Sequence, residues 1–499
     1  MTGSNRLVLV ALDAMEVSWL ERLAARGDLP NLAAFLRESG GMAVRSDGAT
    51  LNGSVWPTFA SGTGPGVHGR YWWLQWLAEE MRLVRASHPA FAFRPFWADL
   101  AEAGSRIVVL DVPYTSLVRH QLVEQFNGWG TIEELERESW PASFADRITK
   151  RFGKHPLSVD TVEAQKPSDL VRMANSLHVG VRMRAKLLVH FLRSGAHDSC
   201  IVVFGETHKA GHYLAEEREL YPGVSNLDLI ARVLKPLDEA WPEILASAGR
   251  ESTIVLFALH GMRPQVDFSV LGNQALALTL GKRLEVSIPR DDLLRRIRDL
   301  VPDSAHRFVW QRLPARVRAA RQAALELAQA APGSDPVFRV AHDGHLAVRL
   351  SLKGRERDGH VDIESGTEWL ERLESVAREV RTADGVPVFA GLDDLPGRFS
   401  GPRVHRLPDA LLLSNPELVR VEEAFDAAGR RLVNPMQERR NGVHTGRGFC
   451  FVRPGAGVGL DGRAEIDARD FAPTAYAVLG VPAPAGFEGR PFAGRRGDG

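Results

Sequence analysis

The sequence predicts an α/β protein with a doubly wound, mainly parallel sheet flanked by helices and a helical insertion or cap. Three observations carry that expectation. Apolar runs suited to strands recur at Leu7–Leu12, Ile107–Val112, Cys200–Phe204 and Thr253–Leu259. Segments with apolar residues at helical spacing separate them, as in alternating strand and helix units. Each run is also continuous rather than alternating, the mark of a strand covered on both faces.

Taken in order, Leu7–Leu12 is a first strand that ends at Asp13, and Val17–Arg26 and Leu32–Arg37 have helical periodicity. The stretch from Thr50 to Gly62 is a polar, glycine-containing turn running into a short helix, a place where free backbone N–H groups suit an anion. Tyr71-Trp-Trp-Leu-Gln-Trp76 reads as aromatic core, with a wall against a substrate ring as the functional alternative. Helices at Val179–Leu192 and Leu227–Leu245 flank the strand Cys200–Phe204. Residues 1–266 are therefore expected to form the first part of the catalytic α/β core. From about Asp267 to Ala331 the pattern becomes Arg-rich and amphipathic, so residues 267–340 are expected as a helical insertion or cap. Residues 341–488, with later strands at Leu411–Leu413 and Gly448–Val452, complete the core, and the Gly- and Arg-rich stretch 489–499 is expected to be a flexible tail.

Composition narrows the partners. The 499 residues hold 62 basic and 62 acidic side chains, a balance that points to neither a nucleic-acid polymer nor a membrane surface and favours a small-molecule partner. The two cysteines, Cys200 and Cys450, lie in apolar strands and are expected as buried thiols, bridged only if those strands adjoin. The run Leu7–Leu12 is too short for a signal-peptide core, and no run of about eighteen apolar residues occurs, so the expected location is cytoplasmic.

Chemistry concentrates at Glu206-Thr-His208-Lys-Ala-Gly-His212, directly after a strand. Two imidazoles four residues apart share one face of a helix and suit a transition metal, above all zinc. Ligands in an open parallel sheet gather beyond the carboxyl ends of its strands. Asp13 and His260 fall at two further strand ends, and His444 stands just ahead of a late strand, so these five residues are candidate metal ligands.

The order Leu12-Asp13, Trp56, Ser61-Gly62, Pro65-Gly66, His68-Gly69, the ligand-x-x-x-His pair, His260-Gly261 and His444 resembles the alkaline phosphatase superfamily, and within it the type I phosphodiesterase/nucleotide pyrophosphatase group. Leu352-Lys-Gly-Arg-Glu356, Leu407-Pro-Asp409 and Asp470-Phe-Ala-Pro-Thr474 with Gly489-Arg-Pro491 extend the resemblance over nearly the whole chain.

The resemblance implies two metals, usually zinc, around an alcohol nucleophile. One would be held by His208, His212 and His444, the other by Asp13, His260 and positions 259 and 52. Three positions depart from the pattern: His208 and Leu259 stand where the family has Asp, and Asn52 where it has Thr or Ser. A three-histidine centre remains a sound zinc site, with manganese or iron as alternatives, whereas a second ion has only Asp13 and His260. Asn52 has no hydroxyl to attack phosphorus, but its amide can stabilise an oxyanion. Asn52, Gly53 and Ser54 are the expected substrate-binding turn, Thr50 and Ser54 the two hydroxyls able to replace the missing alcohol, and Glu206 the candidate general base or extra ligand. The resulting expectation is a metal-dependent hydrolase of a phosphodiester or nucleotide-like small molecule, attacked by metal-bound hydroxide. Two alternatives stand beside it: a divergent metalloenzyme of secondary metabolism running non-phosphoryl chemistry, and a catalytically silent relative that binds a phosphorylated ligand.

Overall fold

Strand Arg6–Leu12 lies at the centre of a nine-stranded sheet, hydrogen-bonded in parallel to Ser252–Ala258 on one side and Ser199–Phe204 on the other. The computed structural model describes residues 6–130, 137–156, 166–284, 334–434 and 440–496. From edge to edge the sheet runs Glu465–Asp467, Gly40–Arg45, Arg447–Arg453, Ser252–Ala258, Arg6–Leu12, Ser199–Phe204, Ile107–Leu110, Val123–Asn127 and Glu138–Trp140. Arg447–Arg453 is antiparallel to both neighbours, and Glu138–Trp140 is antiparallel at one edge. The expected doubly wound, mainly parallel sheet is therefore present.

Alternation along the central strand feeds two apolar layers. Leu7, Leu9 and Ala11 join the cluster containing Phe59, Phe257 and Phe471, while Val8, Val10 and Leu12 join the opposite one, with Leu177, Leu188 and Trp241. Burial on both faces explains why the strand has no polar position between Arg6 and Asp13. Pro167–Ser194 and Asn226–Ala248 pack against each other over the second layer.

A second, smaller sheet is antiparallel throughout, in the order Val337–Val340, Leu346–Leu350, Ala410–Ser414, Phe389–Asp394. Helices Ser269–Thr279 and Ile363–Arg378 cover it with Leu271, Ala275 and Leu373. Leu411–Leu413 thus belongs to this sheet and not to the main one. A short apolar run has no feature that tells one buried sheet from another, and so the boundary was not visible in the sequence. Arg349, Glu356, Arg355 and Asp409 form a buried ion-pair chain that ties the small sheet's loops together.

Of the expected insertion, residues 285–333 lie outside the described residues, and Ser269–Thr279 is its described helix. The expected loose tail is instead structured through Arg496: Ala493–Arg495 pairs with Val458–Leu460, and Phe492 is fully buried. Cys200 and Cys450 are free thiols, because strands Arg6–Leu12 and Ser252–Ala258 separate theirs. Among the described residues no helix is long and apolar enough to cross a membrane.

Candidate metal centre and its cleft

At the carboxyl end of the central strands the chain turns through Gly205 into helix Glu206–Leu214. One turn of that helix separates His208 from His212, and their Nε2 atoms lie 2.9 Å apart. His444 arrives from strand Gly442–His444, which pairs antiparallel with Met262–Pro264 so that His444 sits opposite Met262. Its ring centre is 4.9 Å from those of both His208 and His212. One ligand atom from each of the three rings falls within 4.8 Å of the other two.

Glycine makes this convergence sterically accessible. A Cβ on Gly442 would sit 2.2 Å from the carbonyl oxygen of Gly211, and one on Gly211 would meet Met262 Cγ at 2.7 Å. Any side chain at either position would hold the strand bearing His444 away from the helix bearing the other two rings.

The outer nitrogens of the pair are fixed. Asp13 Oδ2 accepts from His208 Nδ1 at 2.9 Å, and the carbonyl of Gly442 accepts from His212 Nδ1 at 2.8 Å. Carboxylate and carbonyl oxygens only accept, so both Nδ1 atoms carry hydrogens and both Nε2 atoms point inward. A contact of 2.9 Å between two such nitrogens requires either a proton or a cation between them. Burial holds His212 and His444 well below the ordinary histidine range, with the neighbouring cationic groups acting in the same direction. Their rings are therefore neutral near pH 7, the form that ligates metal. Neither nitrogen of His260 nor Nδ1 of His444 has a hydrogen-bond partner, although both residues are buried. This donor set fits a divalent metal.

Asp13 is buried and engaged on both oxygens, Oδ1 accepting from Trp56 Nε1 at 3.0 Å. Burial raises its pKa, but the charge and hydrogen bond of His208 outweigh this and leave the carboxyl lowered. His260 Nε2 lies 3.6 Å from Asp13 Oδ1, and burial draws the ring down to about 4 against the opposing pull of Asp13. Leu259 is buried in the apolar layer beneath.

The turn Asn52–Ser54 is a single 3-10 turn ahead of helix Val55–Ser61. Asn52 Oδ1 accepts from the N–H of Gly53 at 2.9 Å, and Asn52 lines a cleft that also contains Thr50 and His444. Gly53 is pressed against the backbone of Trp72, where a Cβ would approach Cα to 2.5 Å. Ser54 is fully buried and its hydroxyl donates to Leu51 O at 2.6 Å, so of the two expected hydroxyls only Thr50 lines the cleft. Tyr71, Trp73 and Trp76 are core, as their sequence suggested, and Trp72 is at its rim.

Glu206 is not brought to this cleft. Its carboxylate is fully buried and bonds His155 Nε2 at 2.8 Å and Arg184 Nε at 3.1 Å, while Arg184 Nη1 bonds Asp111 at 2.7 Å. Burial pushes the Glu206 carboxyl up, but the Arg184 charge and the His155 hydrogen bond prevail and hold it at about 2. Asp111 adopts a left-handed conformation, φ 58°, just beyond strand Ile107–Leu110, and also accepts from the N–H groups of Trp129 and Gly130.

The model of the Type I phosphodiesterase / nucleotide pyrophosphatase family matches residues 7–442. The chain belongs to this family. As a member of the Type I phosphodiesterases it is a hydrolase, and its alkaline phosphatase-like fold recurs in solved structures at low identity. Phosphonoacetate hydrolase from Sinorhizobium meliloti 1021, solved with phosphonoformate, is 14% identical with a TM-score of 0.54, each chain covered over 96%. Murine ectonucleotide pyrophosphatase/phosphodiesterase 5, solved with AMP, is 10% identical with a TM-score of 0.52, each chain covered over 97%. A mutant of the alkaline phosphatase PafA is 13% identical with a TM-score of 0.53, covering 98% of this chain and 99% of its own. No curated protein matches the sequence.

Proposed function

We propose that this protein hydrolyses a small phosphate or phosphonate ester at a metal centre held by His208, His212 and His444, zinc being the ion this ligand set suits best. The observation that carries the reading is the inward-facing pair of Nε2 atoms, 2.9 Å apart with both Nδ1 atoms tied to acceptors. A divalent ion there supplies Lewis acidity and lets water attack at neutral pH.

The residues of the chain do the rest. Asp13 accepts the His208 Nδ1 hydrogen and so acts as an orienting carboxylate, while Gly442 O does the same for His212. Asn52 aims amide donors at the charge that develops on the phosphoryl oxygens. With a carboxamide at position 52 no phospho-enzyme ester forms there, and water displaces the leaving group directly. Asp13 and His260 line a residual second position that lacks a carboxylate at 259. Glu206 holds the start of the ligand helix through Arg184 and takes no part in proton transfer.

The deciding experiment is metal analysis combined with calorimetry. Zinc is expected at about one ion per chain, and because neutral imidazole is the ligating form its uptake is expected to weaken in acid. Affinity then rises with pH. Metal content below about a tenth of an ion per chain in zinc-supplemented buffer would reject the centre, since a closed three-histidine site holds zinc firmly.

Two variants probe the supporting groups. Asp13→Ala is expected to weaken zinc binding about 10–100-fold, as read by competition with a chromogenic chelator. Asn52→Ala is expected to lower kcat about 10²–10³-fold with zinc content unchanged. Formation of a stable phospho-protein on Thr50 would contradict direct attack by water.

A further inference from the structure

We infer that the cleft wall opposite Asn52 is an anion-binding subsite in which Arg263 and His342 receive a carboxylate or phosphate carried by the leaving portion of the substrate. The inference rests on the hydrolytic reading above and adds a substrate class to it: compact esters or phosphonates with a second negative group.

Arg263 is half-buried on strand Met262–Pro264, donating to Pro416 O at 2.9 Å and Gln265 Oε1 at 2.8 Å. Among the described residues no carboxylate pairs with it, so its charge is withdrawn from water without a counter-ion. A cation in that setting gains most from an anion supplied by a ligand.

His342 provides the second observation. It is 8% exposed, lines the same cleft as Arg263, Asn52 and His444, and neither of its ring nitrogens has a hydrogen-bond partner. Its neighbour His345 differs: Nε2 donates to Ala49 O at 2.8 Å and Nδ1 accepts from Ser414 N at 3.1 Å. His345 thus fixes the turn between the first two strands of the small sheet, and His342 is left to offer its N–H to a ligand. Trp72, with its ring centre 5.7 Å away, supports the His342 ring from the core side. The carboxylate of Asp343 also lines the cleft and lies 4.0 Å from Arg440, which offsets its repulsion of an anion.

Calorimetry with 3-phosphonopropionate and propylphosphonate, which differ in the terminal carboxylate, tests the subsite without turnover. Wild-type protein is expected to bind the carboxylate-bearing compound roughly tenfold more tightly, the worth of one charge-assisted hydrogen bond. Arg263→Gln and, separately, His342→Phe are expected to collapse that ratio to within about twofold. Equal affinities in the wild type, or a preference surviving in both variants, would overturn the subsite. The same titrations after chelator treatment separate the two claims. A carboxylate preference that persists after chelation leaves the subsite standing whatever the fate of the metal centre, failure to take zinc back from supplemented buffer removes the metal centre alone, and zinc binding without the preference removes the subsite alone.

Discussion

Replacing His212 by alanine is expected to strip the protein of zinc and to lower kcat/KM for ester hydrolysis by more than about a hundredfold. The magnitude follows from rank: losing a group that merely orients a ligand costs about 10–100-fold, so losing the ligand itself costs more. His212 is the most constrained of the three rings, buried, with Nδ1 tied to Gly442 O and Nε2 facing His208. His208→Ala should produce the same joint loss while also leaving the Asp13 carboxylate with Trp56 and the more distant His260. Metal content and turnover measured on one preparation decide the matter. Turnover retained at unchanged metal content, in either variant, would refute the three-histidine centre.

The largest expected effect on stability is at Arg184. Arg184→Met leaves Glu206 and Asp111 buried without their shared cation, a loss of about 3–5 kcal/mol by analogy with broken buried ion pairs. Chemical denaturation with the wild type as reference reads this directly, and a loss under about 1 kcal/mol would show that the network carries little. A pH signature accompanies it. The folded-state pKa of Glu206, about 2, lies below its ordinary 4.5, so the group stabilises the fold at pH values above 4.5 and that contribution fades as pH falls towards 2. The Arg184→Met variant should lack this segment of the acid-denaturation curve.

Much of the scaffold was legible because its strands are buried on both faces and announce themselves as unbroken apolar runs. The His208 and His212 pair was legible for a local reason, a spacing of four after a strand. Glu206 misled for an equally local reason: residues two apart on a helix point in different directions, so proximity in sequence to His208 placed its carboxylate among Arg184 and His155 instead of in the cleft. The partners of Glu206 at 111, 155 and 184 come from separate segments, and no spacing rule connects them. His342 and His345 formed an audible signal, two histidines three apart after the insertion, but only their hydrogen bonds tell the free ring from the structural one. The small sheet was missed because Leu411–Leu413 looks the same whichever sheet buries it.

The contact between Gly211 and Gly442 joins parts of the chain some 230 residues apart, as does the His212 hydrogen bond beside it. Closing so long a loop is entropically unfavourable and is offset only once both ends have a formed surface to dock on. The centre therefore cannot assemble on a partly folded or truncated chain, and metal uptake becomes a late event that reports completion of the whole architecture. Ion affinity in this protein is in that sense a gauge of native topology, lost with any lesion that keeps the two glycines apart however distant from the histidines it falls.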